Sequence, residues 1–277
     1  MGELTARSGR VGAGDFTAYD HGAQLASWRV GGRPVVWVSR RARYRPDTSI
    51  RGGVPICWPW FAPGRTGDLS PAHGFARIAP WTLTGRASDE HATRLQWRLT
   101  EQDIAGLPGA EHFPHPFEAR CELTVAQTVT IAVTVRNTGS RTFDYEVALH
   151  AYLHVGDVRQ IRLAGLDGAT YWDKVTRQEQ RQIGDLVLTG ETDRIHHSPG
   201  PVRVLDPVLG RTITVTTEHS ADTVVWNPWA DKAAELPDLD PVEWTEMLCV
   251  EAGNVGPDAI VLGPDEEHTT GTTIAVS

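Results

Sequence analysis

Methionine and cysteine are scarce in this 277-residue chain, and basic charge does not dominate. There are two Met and three Cys, and 26 Lys and Arg stand against 35 Asp and Glu. Cys57, Cys121 and Cys249 form no CxxC pair, an odd count that fits free thiols in a reducing compartment rather than a disulfide framework. A formal net charge of −9 lacks the basic footprint that nucleic acid or an anionic membrane would require. No apolar run reaches the 18 residues or so of a membrane span. The first residues, Met1 to Arg7, carry no hydrophobic signal core, and Ala6 stands where myristoylation needs Ser or Thr. The phosphate-cradling GxxxxGK[ST] loop is also missing, so any phosphate recognised belongs to a substrate rather than a nucleotide.

Helix signals are equally thin, because Pro and Gly interrupt most windows that could hold a 3.6-residue period. Strand signals fill the space. Thr93 to Thr100 alternates Leu95, Trp97 and Leu99 with polar residues, and Thr128 to Arg136 alternates again before the turn cluster Asn137-Thr138-Gly139-Ser140. Ala18–Val38 reads as two or three short strands. Phe143–Val155, Thr212–Thr217, Thr223–Trp226, Glu246–Glu251 and Thr269–Val276 extend the set. With no linker, repeat or low-complexity tract, the expectation is one all-β domain over residues 1–277, an antiparallel sandwich with little helix. Ten Trp suit either a core or a sugar-stacking surface, and the core is the ordinary destination for any one of them.

Two segments break the alternation. Arg51–Arg77 crowds Pro and Gly among Trp and Phe, the composition of an ordered functional loop, and Trp226-Asn227-Pro228-Trp229 ends a strand on a polar turn. Three places hold chemistry. On a strand, His150, Tyr152 and His154 share one face, while Val147, Leu149, Ala151, Leu153 and Val155 line the other. That face is a binding surface or, less readily, a zinc site. The HExxH pattern fails because Ala151 replaces its Glu. Glu251 ends an apolar strand before Gly253-Asn254, where it can be a general base, a turn cap or an arginine partner. Arg51, His73 and Arg77 lie in the irregular loop, and their guanidinium forks match phosphate oxygens. Cys57 and Cys249 have apolar neighbours and no adjacent His, so they read as core residues.

In order, RGGVPICWPWFAPG, PAHGFAR, LHAYLHVGD, YWDK, VVWNPW and CVEAGN resemble the hexose-6-phosphate mutarotases, a branch of the aldose 1-epimerase superfamily, from about Asp15 to the C-terminus. The resemblance implies a β-supersandwich of the galactose mutarotase-like kind, an enzyme without cofactor or metal, and a small sugar phosphate as its partner; the free thiols add the expectation of a cytoplasmic location, and a monomer is expected. It carries the catalytic acid to His150 and the catalytic carboxylate to Glu251. It makes Arg51 and Arg77 contacts to phosphate and sugar, Asp173 in YWDK a sugar-binding carboxylate, and His73 a pocket-lining residue. One departure bears on substrate choice, since Ala72 stands where some relatives carry Gln. Two carboxylates, Glu251 and Asp173, would formally serve a glycosidase, but a Glu with a His fits hemiacetal opening better. A mutarotase for unphosphorylated sugars and a non-catalytic carbohydrate-binding protein are the remaining alternatives.

Overall fold

The computed structural model describes residues 3–277; Met1 and Gly2, with the N-terminal targeting expectations that rest on them, lie outside the described residues. Two eight-stranded sheets make up most of the molecule, and every strand pairing within them is antiparallel. One runs Arg162–Ala164, Val202–Asp206, Arg211–Glu218, Glu267–Val276, Val129–Asn137, Phe117–Val125, Thr93–Thr100 and Thr82–Ser88. The other runs Gln178–Arg181, Thr170–Asp173, Thr192–His196, Asp222–Asn227, Met247–Asn254, Val147–Leu149 and Ile56–Cys57, with Tyr152–His154 also on Met247–Asn254. A four-stranded sheet, residues 6–34, and a strand pair, Phe143–Tyr145 with Ile260–Leu262, complete the β structure. The one α-helix among the described residues, Trp229–Glu235, has seven residues, and no helix is long and apolar enough to cross a membrane. The fold is the all-β antiparallel sandwich expected from the alternation.

Alternation dictates the core. In Thr93–Thr100 and Phe117–Val125 every second residue is buried, so Leu95, Trp97, Leu99, Ala119, Cys121 and Leu123 enter one apolar cluster. Leu149, Ala151, Leu153 and Val155 join it with Leu248, Val250 and Ala252. Burying such side chains contributes roughly 1.5–3 kcal/mol each. Most of the tryptophans serve this purpose: Trp28, Trp37, Trp58, Trp60, Trp81 and Trp97 are all buried. Trp58 is a hub, its ring meeting Phe75, Phe113, Phe117 and Tyr145 edge-on at 4.7 to 6.1 Å. All three cysteines are free and buried.

The central sheet positions the site. Val147–Leu149 and Tyr152–His154 pair with the same strand, Leu149 opposite Ala252 and Tyr152 opposite Cys249. The register does not shift across the break between them, so His150 stands opposite Glu251 on the face turned away from the main core. The Arg51–Arg77 loop then covers that face. Gly53, at φ +72°, brings the chain so close to the Gln24–Val30 strand that a Cβ would lie 2.3 Å from the Leu25 carbonyl oxygen. Gly74, at φ +70°, would put one 2.1 Å from the Trp58 oxygen. No side chain fits at either position.

Candidate active site

His150 Nε2 and Glu251 Oε1 are 3.4 Å apart, with side-chain exposures of 8% and 1%. Three aromatic rings fix the imidazole. Tyr152, two residues along the same face, lies parallel to it at 4.7 Å and 8°, and Trp37 stacks behind Tyr152 at 5.7 Å. Trp226, in the row that joins Asp193, Cys249 and Tyr152, stands edge-on to His150 at 6.0 Å. Asn227 locks the turn after it, donating from Nδ2 to the Trp244 and Met247 carbonyls at 2.8 Å and accepting from the Trp229 amide.

Burial opposes charge on both members of the pair. It pushes Glu251 well above the usual carboxylate range, with the Asp193 charge acting the same way and Lys174 and Arg77 acting against it. It pushes His150 well below the usual imidazole range, reinforced by Arg77 and Arg51. The favoured resting form therefore carries one proton between the two groups, as carboxylic acid and neutral imidazole. Moving that proton from Glu251 to His150 gives a base and an acid without exchange with bulk water.

The loop brings two more predicted residues to this centre. His73 sits edge-on to His150 at 5.7 Å and to Phe61 at 4.9 Å. Its Nδ1 accepts the Ala62 amide hydrogen at 3.3 Å, and burial, then the Arg77 charge, keeps the ring neutral, so its own hydrogen is on Nε2. Arg77 donates from Nη2 to the Ala72 carbonyl at 2.6 Å. Arg51 is more committed. Its Nε and Nη2 meet Asp238 Oδ1 at 3.2 and 3.1 Å, and its Nη1 donates to the Tyr152 hydroxyl at 3.1 Å.

Asp173 is not brought to the others, which departs from the sequence expectation. It pairs across the sheet with Arg194, which pairs with Val225 and then Val250, and that row faces the apolar core. Its Oδ1 accepts the Val175 and Thr176 amides at 3.0 Å and its Oδ2 accepts Arg194 Nε at 3.0 Å. Burial alone would raise its pKa, but these partners hold it below the usual range. It ties a turn. The carboxylate on the site face is Asp193, in the row of Trp226 and Tyr152 and paired with Lys174 Nζ at 2.9 Å. Lys174 also lies 5.3 Å over the Phe61 ring. Sequence reading missed Asp193 because Thr192–His196 shows no apolar alternation; the signal lay in the odd–even parity that separates Asp193 from Arg194 along that strand, while Lys174 stood in YWDK without a role. His154 leaves the cluster, lying against Arg211 with an Arg211 Nη2–His154 Nδ1 distance of 3.4 Å.

Two groups of side chains have ligand atoms close enough to hold a metal, His150 with Cys249 and Glu251, and His197 with Asp222 and Asp258. In the first, burial raises the Cys249 thiol far above its usual range, whereas a metal ligand must be thiolate. In the second, the His197 Nδ1 already lies within hydrogen-bond distance of Asp222 Oδ1, at 3.0 Å.

The aldose 1-epimerase family model matches residues 10–275. The chain belongs to that family. A protein of Salmonella typhimurium described as a putative glucose-6-phosphate 1-epimerase is 33% identical over 234 residues, covering 83% of this chain and 76% of that one. One of Cenchrus ciliaris with the same description is 33% identical over 264 residues, covering 90% and 77%. Among solved structures, a Salmonella typhimurium protein described as a putative mutarotase superposes with a TM-score of 0.89 at 28% identity, over 99% of this chain and 94% of that one. A galactose mutarotase-like protein of Lactobacillus casei, 13% identical, shares the fold with a TM-score of 0.75. Membership of the aldose 1-epimerase family makes the chain an epimerase of the mutarotase type, an isomerase.

Proposed function

We propose that this family member interconverts the α and β anomers of a hexose 6-phosphate, with glucose 6-phosphate as substrate. The observation that carries the reading is the His150–Glu251 pair, buried at 3.4 Å with guanidinium groups near it. A cyclic hemiacetal opens when its anomeric hydroxyl loses a proton while its ring oxygen gains one. Glu251 as carboxylate takes the first proton and His150 as imidazolium gives the second. The aldehyde turns about its C1–C2 bond, the ring closes on the opposite face, and both protons return. Each proton-transfer group contributes about 10²–10⁴-fold in rate. His73, through Nε2–H, and Asp193 hold sugar hydroxyls, and Arg77 faces the phosphate, so these residues orient the substrate. Arg51 keeps its place beside them through Asp238 and Tyr152. The names of the related proteins support the phosphorylated substrate. Three free thiols and a membrane-impermeant substrate support a cytoplasmic location, and we take the enzyme to act as a monomer of one domain.

NMR exchange spectroscopy on α- and β-glucose 6-phosphate with catalytic protein should show accelerated interconversion, with glucose 1-phosphate, which cannot open, inert. Arg77→Ala should lower the rate on glucose 6-phosphate far more than on glucose. Equal losses would favour a mutarotase for unphosphorylated aldoses, and no acceleration by the wild type would leave a carbohydrate-binding protein.

A further inference from the structure

A cavity of about 420 Å³ opens on the same face of the central sheet as the catalytic pair, lined by Phe61, Trp172, Lys174, Glu179, Ile195 and His197 among others. The strand register leads into it. Across the sheet from Glu251 stand Val224, Ile195, Trp172 and Glu179, each opposite the next. At the usual strand spacing Trp172 is roughly 14 Å from Glu251, farther than one hexose ring reaches. Two lining residues belong to both compartments. Phe61 meets His73 edge-on at 4.9 Å, and Lys174 pairs with Asp193 at 2.9 Å. The cavity therefore begins where the place of the reacting sugar ends.

Trp172 is the one exposed tryptophan of the ten, at 41%, and it borders an apolar recess with Phe61, Ile195 and Val255. An open indole face stacks on the C–H face of a pyranose. The polar groups around it divide into two kinds. Glu146 is used up in the walls, accepting the Phe61 and Gly256 amides at 3.1 and 2.7 Å, and Arg65 pairs with Asp144. Glu179 is exposed, and His197 is held by Asp222 through Nδ1, which leaves its Nε2 to a ligand. An aromatic platform flanked by a carboxylate and an imidazole nitrogen suits a ring that is apolar on one face and carries hydroxyls at its rim. We infer that this cavity is a subsite for a second sugar ring, so that the enzyme accepts reducing disaccharides, the reducing ring on His150 and Glu251 and its neighbour stacked on Trp172. The inference rests on the anomer-exchange reading above and adds a substrate class to it; phosphate plays no part in it.

The test measures anomer exchange on glucose, maltose, cellobiose and glucose 6-phosphate for wild type, Trp172→Ala, Glu179→Ala and Ile183→Ala. The readout is kcat/KM on a disaccharide divided by that on glucose, a ratio that damage to the fold or to the catalytic pair does not move. For the wild type it should reach about 10 with maltose or cellobiose, through KM, the effect of one stacked aromatic face. Trp172→Ala should erase this advantage, and Glu179→Ala should lower it severalfold. Ile183→Ala, exposed and outside the cavity, should leave the ratio as in the wild type. If glucose 6-phosphate exchange is accelerated but neither disaccharide exceeds glucose, or the ratio survives Trp172→Ala, the subsite is overturned and the hexose-phosphate reading stands. A disaccharide advantage that is lost with Trp172, without acceleration of glucose 6-phosphate, keeps the subsite and removes the phosphorylated substrate. If no sugar exchanges faster than in buffer, both fall.

Discussion

The two faces of the central sheet use the same strands for opposite ends. Along residues 147–155, the odd positions enter the apolar core, while His150 and Tyr152 form a polar, aromatic surface on the other side. Across Met247–Asn254, Val250 and Ala252 pack inward and Glu251 faces His150. One residue of displacement separates a group that holds the fold from one that does chemistry, because the side-chain period of a strand is two. Both faces are buried, yet burial acts differently on each. On the core face it stabilises, and on the site face it leaves a carboxyl group strongly disfavoured as an anion.

The sharpest test of that contrast is Glu251→Gln. Its exchange rate should fall about 10²–10⁴-fold, while the fold becomes more stable at alkaline pH. The sign follows from the raised pKa. Above the ordinary carboxylate value the unfolded chain releases this proton while the native one keeps it, so wild-type stability from this group is lost as pH rises. Melting curves at pH 6 and 8.5 should converge for the variant relative to the wild type. A variant with full activity would remove Glu251 from the reaction.

Leu149→Ala probes the other face one residue from His150. Leu149 is fully buried in the core cluster, and the lost packing should cost about 2–5 kcal/mol in urea unfolding. The rate per folded molecule should stay within a fewfold of wild type. A collapse in that rate with little loss of stability would mean that the two faces are not separable in this way.

Asp193 and Asp173 repeat the comparison on neighbouring strands. Asp193→Asn should lower the rate roughly 10-fold without altering the melt, by the worth of a charge-assisted hydrogen bond. Asp173→Asn should do the reverse, losing about 1–3 kcal/mol as the Arg194 guanidinium loses its charged acceptor, while the amide oxygen still accepts from the Val175 and Thr176 amides. Swapped outcomes would return the sugar contact to Asp173.

How much of this was readable from residues alone varied with the physics. Thr93–Thr100 is a strand at the expected positions because one face is buried and the other wet, which writes alternation into the sequence. Thr170–Asp173, Gln178–Arg181 and Thr192–His196 were not foreseen, since they lie toward the sheet's margin, where charged residues sit on both faces. That gap displaced the site carboxylate. YWDK and TDRIH each contain a plausible Asp, and only the pairing of Asp193 with Trp226, against that of Asp173 with Arg194, separates them. His150 and Glu251 stand out in the sequence because one shares a polar strand face and the other ends an apolar strand, and the family resemblance pairs them. Their distance apart was not legible, because register is a relation between strands rather than a property of either.

The smallest effect concerns a second buried histidine. His196 lies on the same strand face as Arg194, against Tyr171 at 4.9 Å, fully buried and away from His150. Burial, with the Arg194 charge, lowers its pKa to about 4. Its folded value lies below its unfolded one, so its contribution is complete above about pH 6.5 and is lost as pH falls toward 4, where the unfolded chain binds a proton that the native ring refuses. At pH 5.5 the loss is about 1 kcal/mol. His196→Phe should flatten this part of the stability curve between pH 7 and 5 and leave anomer exchange at neutral pH unaltered. His150 differs because its proton can come from Glu251 3.4 Å away, so its titration belongs to the pair. If His196→Phe instead left the acid slope intact, the acid sensitivity would belong to the paired histidine on the site face, and the division between a face that stabilises and a face that reacts would have to be redrawn.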